Sequence, residues 1–458
     1  MLTFSEVVRV VAILLVTATT LANVLRAQAP TFLYAANYGS NDISAYSIDP
    51  ATGAMTPVSG SPFAAGLLAD WIAIDPSGRF AYVTNCHGNN LSAYVISPAT
   101  GALTAVPGSP FVAGNCPYGV GVEPSGRFAY ANNQLDNNLS GYSVNQQTGA
   151  LTALAGSPFP TGPNPVYNVA FHPNGRFVYN PNLFSVTVSG FAIDARTGAL
   201  TPVLGSPFPV GINPASVAIE PLGRYLYVTL GQGHTVYAFN IDAATGSLSP
   251  VSGSPFGIGL QGVWIAVDRT ARFLFVCNPS DNAVSALAID QTSGALSTVL
   301  GSPFPAGNTP ESITVDPSNN FLYVGNVNGN NISAFRINQV TGSLTPVLGS
   351  PFSASGQPVS LAIATPKLTP QQQAALIVVQ VQSLVTTGTL TPDQGTGLID
   401  KLNEVIAKLN RGQTGAACNQ MNAFINQVHS FLNSRKLTPA QAQALIKAAT
   451  ALEMAIGC

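Results

Sequence analysis

The tetrapeptide Gly60-Ser61-Pro62-Phe63 decides the fold, because the chain repeats it six more times at an almost constant spacing. The later copies begin at Gly108, Gly156, Gly205, Gly253, Gly301 and Gly349, so that successive starts are 48, 48, 49, 48, 48 and 48 residues apart. Self-similarity at a fixed period indicates a repeat architecture, in which each unit buries its apolar face only against its neighbours. The repeat therefore predicts fold more strongly than chemistry.

Each period contains four short segments with strand character, separated by turn residues. In the unit that ends at Gly108 these segments are residues 71–75, 80–84, 91–96 and 102–106. A period of about 40–50 residues with four strands per unit is typical of a β-propeller blade. The acids that precede the repeated hairpins, such as Asp75, are interpreted as turn residues.

The order of the strands predicts how the ring closes. A second strand occurs seven times, starting with the one at Phe32, whereas the first strand occurs only from Trp71 onward. The last first strand, residues 359–363, has no following partner, so we predict that it completes the blade begun at Phe32 and removes the open edge. The sequence thus predicts an all-β seven-bladed β-propeller over residues 30–366.

Several repeated segments resemble the seven-bladed lactonase-like propeller family with its Tyr-Val-Thr-Asn repeats. The likeness is carried by Phe-Ala-Tyr-Val-Thr-Asn at 80–85, by 321–326, and by the turns at 75–79, 123–127 and 100–104. It covers roughly residues 31–366 and implies a propeller with seven blades. The family includes phosphogluconolactonases and carboxy-muconate cyclising enzymes, as well as many exported members whose expected role is binding.

The composition changes after Pro366 to Gln, Ala, Leu and Lys. Threonines at Thr369, Thr391 and Thr438 each precede a proline, which is the pattern of an N-cap before the first helical position. Apolar residues follow at helical spacing, so residues 367–458 are predicted to form a small all-α bundle of about four helices. Segments 398–402, 421–428 and 437–441 resemble the FIMAH domain of exported bacterial proteins, which implies an accessory or attachment module.

The N-terminus has the layout of a secretory signal peptide. Arg9 precedes the apolar run 10–16, and Ala27-Gln28-Ala29 has the small-x-small form of a cleavage site. We expect residues 1–29 to be a signal peptide, the protein to be exported to the periplasm, the cell surface or the medium, and the mature chain to lack a membrane span. An uncleaved membrane anchor is the alternative interpretation.

The five cysteines fit an oxidising compartment. Cys86 and Cys116 fall in loops on one face of adjacent repeats, and Cys418 and Cys458 share the tail, so we predict these two bridges and a buried free Cys277. The sequence has no Cys-x-x-Cys pair, and its cysteines and histidines lack the spacing of a metal site, so neither a metal nor a cofactor is predicted. Charged residues make up only 8% of the chain and the net charge is -2, which excludes a basic footprint for nucleic acid.

A candidate ligand site lies where the inner strands begin, near the propeller axis. One equivalent position of the seven repeats holds Trp71, Gly119, Asn168, Ser216, Trp264, Ser312 and Ser360. Because a strand alternates faces, this set is predicted to line the channel, and Asp70, Tyr118, Tyr167 and Glu311 are further candidates. Two tryptophans among hydroxyls and amides suit a sugar or a flat apolar ligand. The alternative is that both tryptophans are wedges that fill the axis.

Two functions remain open from the sequence. The favoured one is an exported, monomeric propeller that acts as a ligand-binding or scaffold module for a small molecule, a carbohydrate or another protein. The alternative, which the resemblance implies, is a lactonase-type hydrolase related to 6-phosphogluconolactonases, acting on a sugar lactone or a related cyclic ester, with His87 or His234 as general base. A phosphosugar would require Arg or Lys at the ligand, yet the repeated arginines follow the hairpins at the opposite end.

Overall fold

The computed structural model describes residues 30–458, which form two compact units, Pro30–Pro366 and Lys367–Cys458. The predicted signal peptide lies outside the described residues. The first unit is a ring of seven antiparallel sheets and the second consists of helices. The predicted fold, a seven-bladed β-propeller followed by a small all-α bundle, is confirmed.

Every blade has the strand order inner, second, third and outer, and a short fifth strand pairs with the third. The inner strands are Ala69–Ile74, Pro117–Val122, Ala170–Phe171, Pro214–Ile219, Ile265–Val267, Pro310–Val315 and Pro358–Ala364. The second strands are Thr31–Asn37, Phe80–Asn85, Phe128–Asn133, Phe177–Asn182, Tyr225–Leu230, Phe273–Asn278 and Phe321–Asn326. The third strands are Asp42–Ile48, Asn90–Ile96, Asn138–Val144, Thr187–Ile193, Thr235–Ile241, Ala283–Ile289 and Asn331–Ile337.

The outer strands are Met55–Pro57, Leu103–Ala105, Leu151–Ala153, Leu200–Pro202, Leu248–Pro250, Leu296–Thr298 and Leu344–Pro346. The fifth strands are Phe63–Ala64, Phe111–Val112, Phe159–Pro160, Phe208–Pro209, Phe256–Gly257, Phe304–Pro305 and Phe352–Ser353. We call the face where the inner strands begin the top face. The face that carries the hairpins between inner and second strands is the bottom face.

The repeated Gly-Ser-Pro-Phe motif fastens the outer edge of each blade. Its glycine has a φ between 84° and 89° in all seven copies, a conformation that residues with a Cβ rarely adopt. Its serine Oγ accepts a hydrogen bond of 2.9 Å from a backbone N–H of the third strand, as Ser61 does from Ala45. Its phenylalanine begins the fifth strand. The motif recurs because every blade needs the same turn and the same bond.

A second repeated contact joins six of the seven blades to the next one. The hydroxyl of Tyr34 donates a hydrogen bond of 2.7 Å to the carbonyl oxygen of Gly101, and five other second strands form the equivalent bond. A Cβ on Gly101 would lie 2.4 Å from the ring of Phe32, so only glycine fits there. These contacts explain why a Thr/Ser-Gly pair and a Phe-x-Tyr triplet recur together in the sequence.

The ring closes as the sequence predicts. The strand Pro358–Ala364 pairs antiparallel with Thr31–Asn37, so the closing blade takes its inner strand from the C-terminal end of the propeller. The Tyr323 hydroxyl also crosses this closure and donates to the carbonyl of Gly53 at 2.9 Å. Each sheet therefore has two neighbours.

The second unit has four helices: α1 (Pro370–Thr386), α2 (Pro392–Asn410), α3 (Thr414–Asn433) and α4 (Pro439–Ile456). Helices α1, α2 and α4 begin with a Thr-Pro pair whose threonine forms a capping box with a glutamine three residues later. Leu398, Phe424 and Leu445 are buried in one core. Because Phe424 is fully buried there, its apolar stripe belongs to the core of the helical unit.

The cysteines form one bridge in each unit. Cys86 Sγ is 2.05 Å from Cys116 Sγ, and Cys418 Sγ is 2.08 Å from Cys458 Sγ. Cys277 is a buried free thiol. Within residues 30–458, no helix is long and apolar enough to cross a membrane.

Candidate functional site

The inner strands are irregular where they begin on the top face. In the blade of Ala69–Ile74, the pairing register shifts between Ala69 and Ile72, so that two residues, Asp70 and Trp71, oppose Thr84. The shifts in two other blades leave Tyr118 and Glu311 as the extra residues. A bulge interrupts the alternation of side chains and re-aims them. Consecutive residues, and not alternate ones, therefore approach the axis here.

Four aromatic rings from four blades meet at the axis. The ring centroids of Trp71 and Trp264 are 4.4 Å apart, those of Tyr167 and Trp264 4.8 Å, and those of Tyr118 and Tyr167 5.2 Å. Trp264 is only 6% exposed, whereas Trp71, Tyr118 and Tyr167 are partly exposed. The contacts support the interpretation of the tryptophans as wedges that fill the axis. The two tyrosines and Trp71 present the accessible part of the cluster.

Two carboxyl groups share this site with the tyrosines. Burial raises the pKa of Asp70 to about 7, and burial also raises the pKa of Glu311. Asp70 is 5% exposed, and its Oδ2 has no hydrogen-bond partner. A buried, unpartnered carboxylate oxygen is costly in a folded protein, and carboxyl groups with a strongly raised pKa cluster at functional sites.

The tyrosine hydroxyls respond to both acids. Burial raises the pKa of Tyr118 well above its ordinary value, and the charges of Tyr167, Asp70 and Glu311 add to that effect. Burial, with smaller contributions from Glu311 and Asp70, raises the pKa of Tyr167 to about 12, although a hydrogen bond with Tyr118 opposes this. Burial and the charge of Asp70 also raise the pKa of Tyr38, a top-face residue that sequence reasoning missed. Both hydroxyls at the axis therefore stay protonated at neutral pH.

One repeat position supplies all four polar members of the cluster. Asp70, Tyr118, Tyr167 and Glu311 each lie five residues before the residue that opens the bottom hairpin, and the other three repeats have Ala215, Val263 and Val359 there. We call Asp70, Tyr118, Tyr167 and Glu311 the top cluster. Four of the seven repeats place an acid or a tyrosine at this position and three place a small apolar residue, and this contrast is the sequence signal that marks the top cluster.

The other predicted ligand-binding residues bond neighbouring strands instead. Asn168 Nδ2 donates to the carbonyl of Val217 at 2.6 Å, and its Oδ1 accepts from Ser216 Oγ and from the backbone N–H of Val217. Ser360 Oγ accepts from the backbone N–H of Ile72 at 3.2 Å, and Ser312 Oγ donates to the carbonyl of Pro358 at 3.3 Å. These polar groups link adjacent blades at the axis, so their contacts do not support a role in ligand binding.

The backbone of Tyr167 is unusual. Its φ is 52°, a left-handed conformation that is costly for a residue with a large side chain. The neighbouring blade accommodates this kink, because a Cβ on Gly119 would lie 1.4 Å from the Tyr167 carbonyl oxygen. Asn132 Nδ2 donates to the carbonyls of Val166 at 3.1 Å and Tyr167 at 3.5 Å. Gly119 and Asn132 thus position Tyr167 against Trp264.

The two top-face histidines stand apart from the top cluster. His234 occupies a turn position that asparagine holds in five of the other repeats, and its Nδ1 accepts the backbone N–H of Gln261 at 3.0 Å. Asn89 and Asn282 accept the equivalent bonds from Cys116 and Thr309. The role of His234 is therefore structural. His87 is exposed in a short 3₁₀ turn, Cys86–Gly88.

Comparison with known families agrees with the fold of both units. The family described as Lactonase, 7-bladed beta-propeller matches residues 65–168, 157–257 and 260–361, which together exceed half of the chain. The FIMAH domain matches residues 374–453. No protein with a curated description matches the chain significantly.

Solved structures share the propeller at low sequence identity. A putative 6-phosphogluconolactonase from Bacteroides uniformis is 19% identical, with a TM-score of 0.65, over 74% of this chain and 100% of that one. A putative 6-phosphogluconolactonase from Bacteroides fragilis is 20% identical, with a TM-score of 0.65, over 73% and 98%. The periplasmic gluconolactonase of Pseudomonas aeruginosa is 21% identical, with a TM-score of 0.62, over 74% and 100%. At these identities the likeness establishes the fold alone.

Proposed function

The chain belongs to the seven-bladed β-propeller lactonase family, and from that premise we propose that it is a hydrolase that opens a lactone or a related cyclic ester at the top cluster. The observation that carries this proposal is the Asp70 carboxyl group, which has an unpartnered oxygen and a pKa raised by burial to about 7. A carboxyl group that titrates near neutrality beside two hydroxyl donors is suited to general acid–base catalysis.

The proposed reaction begins at Asp70. Its carboxylate takes a proton from a water molecule as the water oxygen attacks the carbonyl carbon of the lactone. The negative charge that develops on the carbonyl oxygen accepts hydrogen bonds from Tyr118 and Tyr167, whose raised pKa values keep both hydroxyls protonated. When the ring C–O bond breaks, the protonated Asp70 gives its proton to the leaving alkoxide, and a hydroxy acid is released.

The binding or scaffold function that the sequence favours has less support than this one. Of the ligand-binding residues predicted for it, Asn168, Ser216, Ser312 and Ser360 use their polar groups between blades, whereas Asp70, Tyr118, Tyr167 and Glu311 belong to the top cluster. Histidine as the general base has less support as well, because the His234 ring accepts a backbone bond. The carboxyl group of Asp70 takes that role in the proposal.

We also infer that the protein is exported. The predicted signal peptide and the two disulfides favour an oxidising compartment. The similar gluconolactonase of Pseudomonas aeruginosa is described as periplasmic. Sequencing the N-terminus of the protein recovered after cell fractionation tests this, and an intact Met1 in the cytoplasmic fraction would refute it.

A hydrolysis assay tests the activity. A panel of lactones, including glucono-δ-lactone, is followed by acid release, with the spontaneous rate subtracted. We expect kcat/KM to rise with pH through about 7, because Asp70 must be ionised, and Asp70→Asn to lower it by about 10²–10⁴. The matched control is His87→Ala, an exposed change on the same face, which should keep full activity. Equal rates for the wild type and Asp70→Asn, or no rate above the spontaneous one, would reject the proposal.

A further inference from the structure

The arginines of the propeller lie on its bottom face, where acidic residues accompany them. Within residues 30–366 the chain has no lysine, and all of its arginines lie in or beside the bottom-face hairpins. These are Arg79, Arg127, Arg176, Arg196, Arg224, Arg269, Arg272 and Arg336. The top face has Asp42, Asp136 and Asp281 in its loops or at their ends, in addition to Asp70 and Glu311 at the axis. Its potential is therefore negative.

The two axial acids have no cation beside them. In the part of the chain that the structure describes, the salt bridges are Arg224 with Glu220 and Lys408 with Glu404, and neither involves Asp70 or Glu311. The side chain of Asp70 is almost fully buried, and its Oδ2 has no partner. Two desolvated carboxyl groups without a cation nearby disfavour an anionic ligand and favour a cationic one.

The rings around the acids favour the same kind of ligand. The partly exposed rings of Tyr118 and Tyr167 lie edge to face, with their centroids 5.2 Å apart. The face of such a ring attracts an ammonium group, and the attraction grows where water is excluded. Carboxylates beside aromatic faces bind a protonated amine better than they bind a neutral hydroxyl group.

We propose that the cyclic ester bound at the top cluster carries a protonated amine, as an amino-sugar lactone or an α-amino lactone does, and that Glu311 selects it. This inference rests on the proposed function, because it assigns the substrate class of the same site. Asp70 remains the base that activates water. Glu311 faces the ammonium group because it is the extra residue of the bulge in the strand Pro310–Val315, at the repeat position that also supplies Tyr118 and Tyr167.

Two lactams that cannot be turned over like lactones separate binding from hydrolysis. The probes are 3-aminopyrrolidin-2-one and pyrrolidin-2-one, which differ by one amino group. The full-length protein is titrated with each probe at pH 6.5, because an α-amino group with a pKa of about 8 is protonated at that pH. Quenching of the two tryptophans reports binding. We expect the aminated lactam to bind at least about tenfold more tightly. In Glu311→Gln the two lactams should bind with similar affinities.

The outcomes distinguish the two proposals. Equal affinities in the wild type, no detectable binding of the aminated lactam, or an undiminished preference in Glu311→Gln would overturn the inference. If lactones are hydrolysed but neutral and aminated ones react alike, the activity stands and the substrate class is wrong. If the lactam preference is found but no lactone is hydrolysed, the selectivity of the site stands and the hydrolase is wrong. Matching thermal transitions of wild type and Glu311→Gln confirm that the variant is folded.

Discussion

Replacing Asp70 by Asn should stabilise the propeller at high pH, because the native carboxyl group is ionised there at a cost. Burial raises the pKa of Asp70 from 3.8 to about 7. The folded state therefore holds the proton more tightly than the unfolded state, and the free energy of unfolding falls as the pH rises from about 4 to about 7. A difference of about three pKa units between the two states corresponds to about 4 kcal/mol at about 1.4 kcal/mol per unit.

The measurement is urea unfolding of wild type and Asp70→Asn at pH 4.5 and pH 8.5, followed by tryptophan fluorescence. Both tryptophans of the chain, Trp71 and Trp264, lie in the propeller, so the signal excludes the helical unit. The asparagine can change the free energy of unfolding by an amount that is the same at both pH values. A change that depends on pH comes from the carboxyl group that the variant lacks. We expect the variant to gain about 3–5 kcal/mol relative to wild type between the two pH values.

Glu311 titrates in the same site, because burial raises its pKa too. The comparison is therefore repeated in a Glu311→Gln background, where Asp70 is the one carboxyl group of the top cluster that can ionise. If the stability difference that Asp70→Asn causes in that background is the same at both pH values, then Asp70 is not the desolvated carboxyl group on which the proposed catalysis depends. A gain in stability at high pH together with a loss of lactone hydrolysis in Asp70→Asn would support both the desolvation of Asp70 and its proposed role as the base.

The other predictions concern packing and closure. Trp264→Ala should cost about 3–5 kcal/mol of unfolding free energy, measured by circular dichroism, because the side chain fills the axis and is 6% exposed; a loss below about 1 kcal/mol would contradict the wedge. Gly119→Ala should lower both the unfolding free energy and kcat/KM, because the new Cβ would lie 1.4 Å from the carbonyl oxygen of Tyr167. The control is Gly257→Ala, whose Cβ would have no atom within 4 Å and which should leave both quantities unchanged. A chain ending before Gln357 should lose cooperative unfolding because it lacks the closing strand, while one ending after Pro366 should keep it; a folded monomer from the shorter chain would refute closure.

The sequence predicts the propeller well because its determinants are local and repeated. The contacts of three repeated features stay within a blade or between consecutive blades. These features are the turn at each Gly-Ser-Pro-Phe, the glycine that packs against each Phe ring, and the acids of the bottom hairpins. Seven copies of each signal make the period and the closing strand countable. The caps of the helices are equally local, since each capping box spans four residues.

The site is harder to predict because it depends on contacts that cross the ring. Strand alternation places Trp71 at the axis but gives no reason for Asp70 to be there as well, and the bulge that brings both there is a feature of pairing geometry. Asn168 has the composition of a ligand-binding residue, yet its amide bonds the strand of Val217, a neighbour that no local pattern identifies. The sequence marks the acids and tyrosines as candidates, but their shared environment appears only in three dimensions.

Three residues at the top cluster, Gly119, Asn132 and Tyr167, depend on one another through direct contacts. At the position of Asn132 two other blades hold a threonine, and one of these, Thr84, donates from Oγ1 to the carbonyl of Tyr118 at 3.0 Å. Asn132 reaches the kinked segment of Tyr167 instead, and Gly119 removes the side chain that would collide with it. Gly119 and Asn132 of one blade thus hold the strained Tyr167 of the next blade close to the unpartnered carboxyl group of Asp70, and this is the arrangement that the proposed hydrolysis requires.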